Sequence, residues 1–248
     1  MAKVYLATIF TNEDTLTEQM GICSISSFLR KNGHQVELSY VKENNNEDEC
    51  ITYVKNEKPD FIGFNVYYQG VPFMCKLSKT LKEISPFSKI VVGGYVATYY
   101  SNELFKSSPN IDYIVRGEGE IIFNNLINAL ENDKMLSSIN GITYIKDGKL
   151  IDNEDEVFID NLNELPFASR DFIKKMHLTT ASISTSRGCT RNCSFCSTPD
   201  FWRKNNICWR GREPENIVDE IEQIVNTYNI SNIEFIDASF EDPNFKRL

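Results

Sequence analysis

What the chain lacks narrows it first. No apolar run approaches the ~20 residues needed to span a bilayer. The start, Met1-Ala2-Lys3-Val4, runs straight into a strand-like segment instead of a secretory leader. A cytoplasmic location is therefore expected, with no membrane partner. Basic residues are outnumbered, 26 Lys and Arg against 35 Asp and Glu, for a net charge of −9. That balance opposes non-specific attraction to a nucleic acid backbone, so nucleic acid is not an expected partner. Seven cysteines are an odd number without a regular framework, which speaks against a disulfide scaffold. No second C-x-x-C accompanies the one at Cys193 and Cys196, so the paired knuckles of a structural zinc site are missing. With 41% hydrophobic and 25% charged residues, what remains is an ordinary globular chain long enough for two modest domains.

What is there centres on Ser186-Arg187-Gly188-Cys189-Thr190-Arg191-Asn192-Cys193-Ser194-Phe195-Cys196. Its three cysteines are spaced C-x-x-x-C-x-x-C, with an aromatic before the last. Three thiolates on one tight loop can hold three irons of a cubane cluster and leave the fourth without a protein ligand. The spacing alone specifies a three-thiolate metal loop; zinc is the competing occupant, with Cys208 or His177 as its fourth ligand. Arg187 and Arg191 either add positive potential beside this loop or are simply solvated.

Ahead of the loop, strand and helix patterns alternate five times. Val4 to Ile9, Gln35 to Tyr40, Phe61 to Val66, Lys89 to Val92 and Ile111 to Val115 read as strands. Helices are expected over Leu16 to Lys31, Cys50 to Lys58, Met74 to Ile84 and from the Gly117-Glu118-Gly119 turn to Asn132. This pattern calls for an α/β fold, a five-stranded parallel sheet with helices on both faces, whose ligands bind at the carboxyl ends of the strands. Gly93 and Gly94 after the fourth strand, and Gly117 and Gly119 around Glu118, would let backbone approach a flat or bulky ligand there; plain turn geometry is the alternative. Asp147-Gly148 between two apolar runs signals a hairpin. The stretch Leu162 to Asp171, with Pro166, reads as an ordered linker. Thr180 to Thr185 opens a second domain as a strand, with the cysteine loop at its carboxyl end. The basic, aromatic stretch Phe201 to Arg212 is expected to pack against the sheet domain. Glu213-Pro214-Glu215 then opens a helix reaching about Tyr228, and Ile233 to Ile236 is the next strand.

The cysteine run resembles the cluster loop of the radical S-adenosylmethionine (SAM) enzymes. That resemblance implies a 4Fe-4S cluster on Cys189, Cys193 and Cys196. SAM would chelate the open iron and be cleaved to a 5′-deoxyadenosyl radical, with an electron donor of the flavodoxin or ferredoxin type as partner. It also places Phe195 against the SAM adenine, although a core aromatic would read the same way. Asp237, in Asp237-Ala238-Ser239-Phe240 after the second barrel strand, is implied to meet the SAM amino group; a loop carboxylate is the alternative. Residues 1–135 resemble the Rossmann-like, cobalamin-binding-type domain that precedes the barrel in one branch of these enzymes. The stretches Val91 to Thr98 and Ile111 to Glu120 carry this, giving Gly93, Gly94, Gly117 and Glu118 as cofactor-binding residues. Residues 136–178 would then be hairpin and linker, and 179–248 the start of a partial (β/α) barrel.

Two departures matter. The wider cobalamin family carries D-x-H-x-x-G after its first strand, and the matching Leu16-Thr17-Glu18-Gln19-Met20-Gly21 has Glu18 where the cobalt-ligating histidine would be. Cobalamin would lack a histidine below, and a retained scaffold is the competing reading of the domain. The chain also ends at Leu248, 12 positions past Ile236, too few for further βαβ units of roughly 30 residues each. A fragment of a longer enzyme, or a short relative completed by a dimer or a partner chain, is expected. The leading function is a radical SAM enzyme modifying an unactivated carbon of a small-molecule or peptide substrate, methyltransferases foremost, with no catalytic side chain assigned. A methylthiotransferase would need three N-terminal cysteines at strand ends, where Thr8, Tyr67 and Gly94 stand instead. A non-catalytic cluster- or cobalamin-binding module is the alternative from another class.

Overall fold

The computed structural model of the chain describes residues 1–11, 14–156, 158–202 and 208–242. Strands β1 (Lys3–Phe10), β2 (Gln35–Lys42), β3 (Phe61–Val66), β4 (Lys89–Gly93) and β5 (Tyr113–Val115) are parallel neighbours. Helices α1 (Met20–Lys31), α2 (Glu47–Glu57), α3 (Val71–Ile84), α4 (Tyr95–Tyr99), α5 (Ser101–Ser107) and α6 (Gly119–Glu131) connect and cover them. Side chains alternate across β1 because successive residues of a strand face opposite ways. Val4 and Leu6 join one core with Leu29 of α1 and Phe123 of α6, while Tyr5, Ala7 and Ile9 join the other with Val54 of α2 and Leu77 of α3.

The sheet runs β2-β1-β3-β4-β5-β6-β7, the last two being β6 (Ile142–Lys146) and β7 (Lys149–Asp152). Winding reverses between β1 and β3, the point where open α/β sheets leave a crevice for ligands. The hairpin does not stand apart in a linker: β6 pairs antiparallel with β5, Tyr113 opposite Tyr144 and Val115 opposite Ile142. Its turn has left-handed backbone at both Asp147 and Gly148, the geometry that matches strand twist. Two further differences from the sequence reading are local. Helix α1 starts at Met20, because residues 14–19 are extended loop and Glu18 turns its side chain into a buried ion pair. The stretch after Gly94 forms the short helices α4 and α5, whose lengths are too small to leave a periodic signal.

The second unit consists of α7 (Asp171–Lys175), β8 (Thr180–Ile183), β9 (Ser186–Gly188), α8 (Thr198–Trp202), β10 (Trp209–Gly211), α9 (Pro214–Tyr228) and β11 (Asn232–Phe235). β8 and β11 pair in parallel across α9, burying Ile173, Ala181, Ile183, Ile217, Ile224 and Ile230 together. Pro214 and Glu215 suit the first turn of α9, and Asn229 ends it in a left-handed conformation. β9 and β10 form a separate antiparallel ribbon. Among the described residues no helix is long and apolar enough to cross a membrane.

If the hairpin is part of the sheet, its buried face carries stability. Ile142→Ala, at a fully buried position, is expected to lower unfolding free energy by ~2–4 kcal/mol. Ile145→Ala, at a position 49% exposed, is expected to cost less than ~0.5 kcal/mol, both read by urea denaturation.

Candidate functional site

A cavity of about 370 Å³ lies where the sheet's switch point meets the second unit, a size suited to small-molecule or cofactor binding. Asn65 and Tyr67 at the end of β3, Gly93 and Gly94 at the end of β4, and Gly117, Glu118 and Gly119 after β5 line it from the sheet. Leu165, Pro166 and Phe167 of the connecting segment, and Ser184, Ser186, Arg187 and Gly188 of the second unit, close it opposite. All four sheet residues expected to bind a cofactor, Gly93, Gly94, Gly117 and Glu118, therefore share one cavity. Gly94 has φ +95°, and a Cβ there would lie 2.5 Å from Asn65 Oδ1, so only glycine leaves this rim open.

Electrostatics fasten the two sides. Arg187 donates to Glu118 at 2.6 Å and also to Glu120, while Arg210 donates to both oxygens of Glu118 at 2.9 and 3.1 Å. Ser24 of α1 donates to Glu120 at 2.6 Å. Arg187 is thus neither solvated nor a free cation: its guanidinium is held between two buried carboxylates. Arg191 differs, lying exposed and paired with Glu241 at 2.8 Å. A second cluster joins Glu18 to Arg170 at 3.0 Å, Arg170 to Glu220 at 2.7 Å, and Arg212 to Glu220. Ser182 of β8 donates its N–H to Glu18 at 2.7 Å. Burial raises the Glu18 carboxyl above its usual value in spite of Arg170. Burial pushes Glu120 the same way, but the Arg187 guanidinium and the Ser24 hydroxyl outweigh it and hold Glu120 below its usual value.

The cysteine loop leaves the ribbon beside this cavity. Cys189 N–H donates to the Cys208 carbonyl at 2.9 Å, and a Cβ on Gly188 would fall 2.2 Å from that same oxygen. Glycine before the first cysteine is thus a packing requirement of the ribbon. All seven thiols are free, and hydrogen bonds from the Thr198 side chain and backbone lower the Cys196 thiol. Among the described residues no three His, Cys, Asp or Glu side chains converge closely enough to hold a metal ion. Cys189, Cys193 and Cys196 do share one accessible loop, a donor set that fits an iron-sulfur cluster. Phe195 points outward, 91% exposed, and does not line the cavity. Asp237 accepts from Thr185 N at 3.2 Å, Thr185 Oγ1 at 3.0 Å and Ser186 Oγ, so its carboxylate braces the turn between β8 and β9. Cys23, Cys50 and Cys75 sit in three different helices; burial pushes the Cys23 thiol well up and that of Cys50 to about 11. Cys23 packs in one core and Cys50 and Cys75 in the other, an arrangement that does not fit a shared N-terminal cluster.

Fit to a corrinoid rests on the walls. The buried Oε1 of Glu18, on the cavity wall, has no hydrogen-bond partner among the described residues and stands ready for a ligand's donor. Neither His34 nor His177 lines the cavity: His34 is buried against Ala2 and Asn124, and His177 follows α7 in left-handed backbone. Tyr95 and Phe201 stack at 4.2 Å between ring centroids, and Trp202 Nε1 donates to Tyr95 Oη at 3.1 Å. The aromatic stretch around Phe201 thereby packs on the sheet unit at the cavity mouth. Sequence reasoning gave no role to Glu120, Ser24 or Arg210; Glu120 stood in the stretch Ile111 to Glu120 and Arg210 in a locally basic one, whereas Ser24 left no signal.

A doubly wound sheet with an open switch point, followed by a βαβ unit bearing a three-cysteine loop, defines the class. Residues 8–127 match the family model of the B12 binding domain, and the chain as a whole is similar to radical SAM proteins that carry such a domain. Its structure superposes on the cobalamin-dependent S-adenosylmethionine radical enzyme OxsB with aqua-cobalamin bound at a TM-score of 0.82 and 25% identity, covering 98% of this chain and 35% of that one. In sequence it is 28% identical over 226 residues to an uncharacterized methyltransferase of Pyrococcus horikoshii, covering 89% of this chain and 49% of that protein. It is 31% identical over 214 residues to the anaerobic magnesium-protoporphyrin IX monomethyl ester cyclase of Rubrivivax gelatinosus, covering 81% and 37%. The chain spans half the length or less of these relatives.

Two measurements check the electrostatics. Arg170→Ala leaves Glu18 and Glu220 buried without their shared cation and is expected to cost ~3–5 kcal/mol, against less than ~1 kcal/mol for Arg191→Ala at its exposed pair. For Glu120, the lowered value means a stabilisation fully present above the usual 4.5 and lost as pH falls through the folded value. Melting temperature is therefore expected to drop on acidification less steeply in Glu120→Gln than in the unaltered chain.

Proposed function

We propose that this chain is the cofactor-holding N-terminal part of a cobalamin-dependent radical SAM enzyme that modifies an unactivated carbon, with methyl transfer the preferred reaction. The observation that carries this reading is the shared wall. The cavity at the carboxyl ends of β1, β3 and β4 is closed by Ser184, Ser186, Arg187 and Gly188, the residues leading into Cys189. A corrinoid site and a cluster loop built on one cavity can act on one substrate.

Cys189, Cys193 and Cys196 would hold the 4Fe-4S cluster, and the Gly93-Gly94 and Gly117 to Gly119 loops would seat the corrinoid. When bound, a SAM-ligated cluster supplies a 5′-deoxyadenosyl radical and cobalamin a methyl carrier. The chain's own residues bind, orient and shield. Leu165, Pro166 and Phe167 cover the cavity and exclude water, which protects reactive intermediates. Asp237 fixes the β8–β9 turn through Thr185 and Ser186. Phe195, exposed on the loop, is free to lie on the adenine of SAM. The partners are an electron donor of the flavodoxin or ferredoxin type and a small-molecule or peptide substrate. Seven unpaired thiols support a reducing, cytoplasmic setting. Ring closure is the second reading, favoured by the 31% identity to the cyclase.

Anaerobic reconstitution with iron, sulfide and hydroxocobalamin tests this. The expected result is iron-sulfur absorption that disappears in Cys193→Ala, together with stoichiometric corrinoid binding that survives it. Tight zinc with no iron overturns the cluster assignment, and a full-length protein that loads both groups yet forms no 5′-deoxyadenosine from SAM overturns the enzyme reading.

A further inference from the structure

Glu118, Glu120, Arg187 and Arg210 face two ways at once. The acids stand at the start of α6, on the cavity's sheet side. Arg187 precedes Cys189 by two residues, and Arg210 is its cross-strand partner in the ribbon. Side chains of both acids are 3% exposed, so four charges are withdrawn from water here. Apolar side chains of similar volume would hold the two units together as well or better. What the charged set adds is direction, since a guanidinium fork meets a carboxylate only in a narrow range of poses. Ser24, Glu118, Glu120 and Arg187 all line the cavity. A ligand seated there touches the same side chains that fix where the cysteine loop begins.

We propose that Arg187 is a positioning residue through which occupancy of the cavity and assembly of the cluster loop are linked. Corrinoid binding orders the Glu118 and Glu120 carboxylates, these hold the Arg187 fork, and the fork sets the backbone of Ser186 to Cys189. Linkage is reciprocal, so a loaded cluster changes corrinoid affinity by the same factor. This rests on the proposed cobalamin and cluster sites and adds to them a coupling that separate sites would not have.

The test is titration of hydroxocobalamin into the chain before and after anaerobic cluster loading. In the unaltered chain the two dissociation constants are expected to differ about tenfold. Arg187→Lys keeps the charge but loses the fork, and Glu120→Gln removes one of its two anchors. Both are expected to load iron and bind cobalamin, with the ratio of the two constants reduced to within about twofold. The electron paramagnetic resonance spectrum of the reduced cluster is expected to shift in Arg187→Lys, a change that a purely structural contact would not produce. Lys82→Gln, at a partly buried pair with Asp112 outside the cavity, serves as the control that keeps the tenfold ratio. Equal affinities with and without the cluster in the unaltered chain, or a ratio and spectrum unchanged by Arg187→Lys, overturn the coupling alone. Failure of the cluster-free unaltered chain to bind cobalamin overturns the cofactor reading and the coupling with it.

Discussion

Buried pairs of guanidinium and carboxylate that cross between the two structural units are the constraint on which the cavity depends. Arg187 reaches from the ribbon to Glu118 and Glu120, and Arg170 reaches from the connecting segment to Glu18 and Glu220. Each unit relies on the other for these partners: Glu118 takes both of its arginines from the ribbon, and Glu220 takes Arg170 from the connecting segment beside its own Arg212. The contacts therefore make the crevice at the switch point into an enclosed site. They also make its shape depend on pose, because charged forks tolerate less sliding than apolar surfaces.

Topology explains why the site lies where it does. Crossovers on either side of the β1–β3 boundary leave in opposite directions, so no helix covers the strand ends between them. Loops after β3, β4 and β5 fill the rim, and the segment from Leu162 to Ala168 lies across it. The hairpin of β6 and β7 widens the sheet on the side of β5. That edge position carries Asp152, which pairs with Arg116 just after β5, and so steadies the Gly117 turn that borders the cavity.

How much of this was legible in the sequence follows from the range of each interaction. The central strands read directly, since Phe61 to Val66 and Lys89 to Val92 are apolar runs buried on both faces. The cysteine spacing and the glycines at 93, 94 and 117 read as local motifs and fall around one cavity edge. Charge partners did not read: Arg187 and Glu118 are 69 positions apart, and no periodicity or spacing encodes such a pair. Glu118 was legible as a cavity residue but not as an anchor for two arginines. The hairpin's turn was plain from Asp147-Gly148, whereas its pairing with β5 is a tertiary contact with no local signature. Phe195 shows the converse limit, a motif residue whose proposed role needs a ligand that the chain alone does not supply.

The missing imidazole sharpens what the walls must do. A corrinoid held by a histidine below would owe part of its affinity to a coordinate bond, but here Glu18 occupies that position and gives one oxygen to Arg170 and Ser182. Binding on the proposed reading must instead come from burial of apolar surface against Leu6, Val91, Val115 and Phe123 on one side and Leu165, Pro166 and Phe167 on the other. The second of these sides belongs to the segment that Arg170 ties down. On that reading a cofactor without a lower ligand requires both units to be docked: the Arg187 pairs set where the cysteine loop begins, and the Arg170 pairs hold the wall that would retain the cofactor.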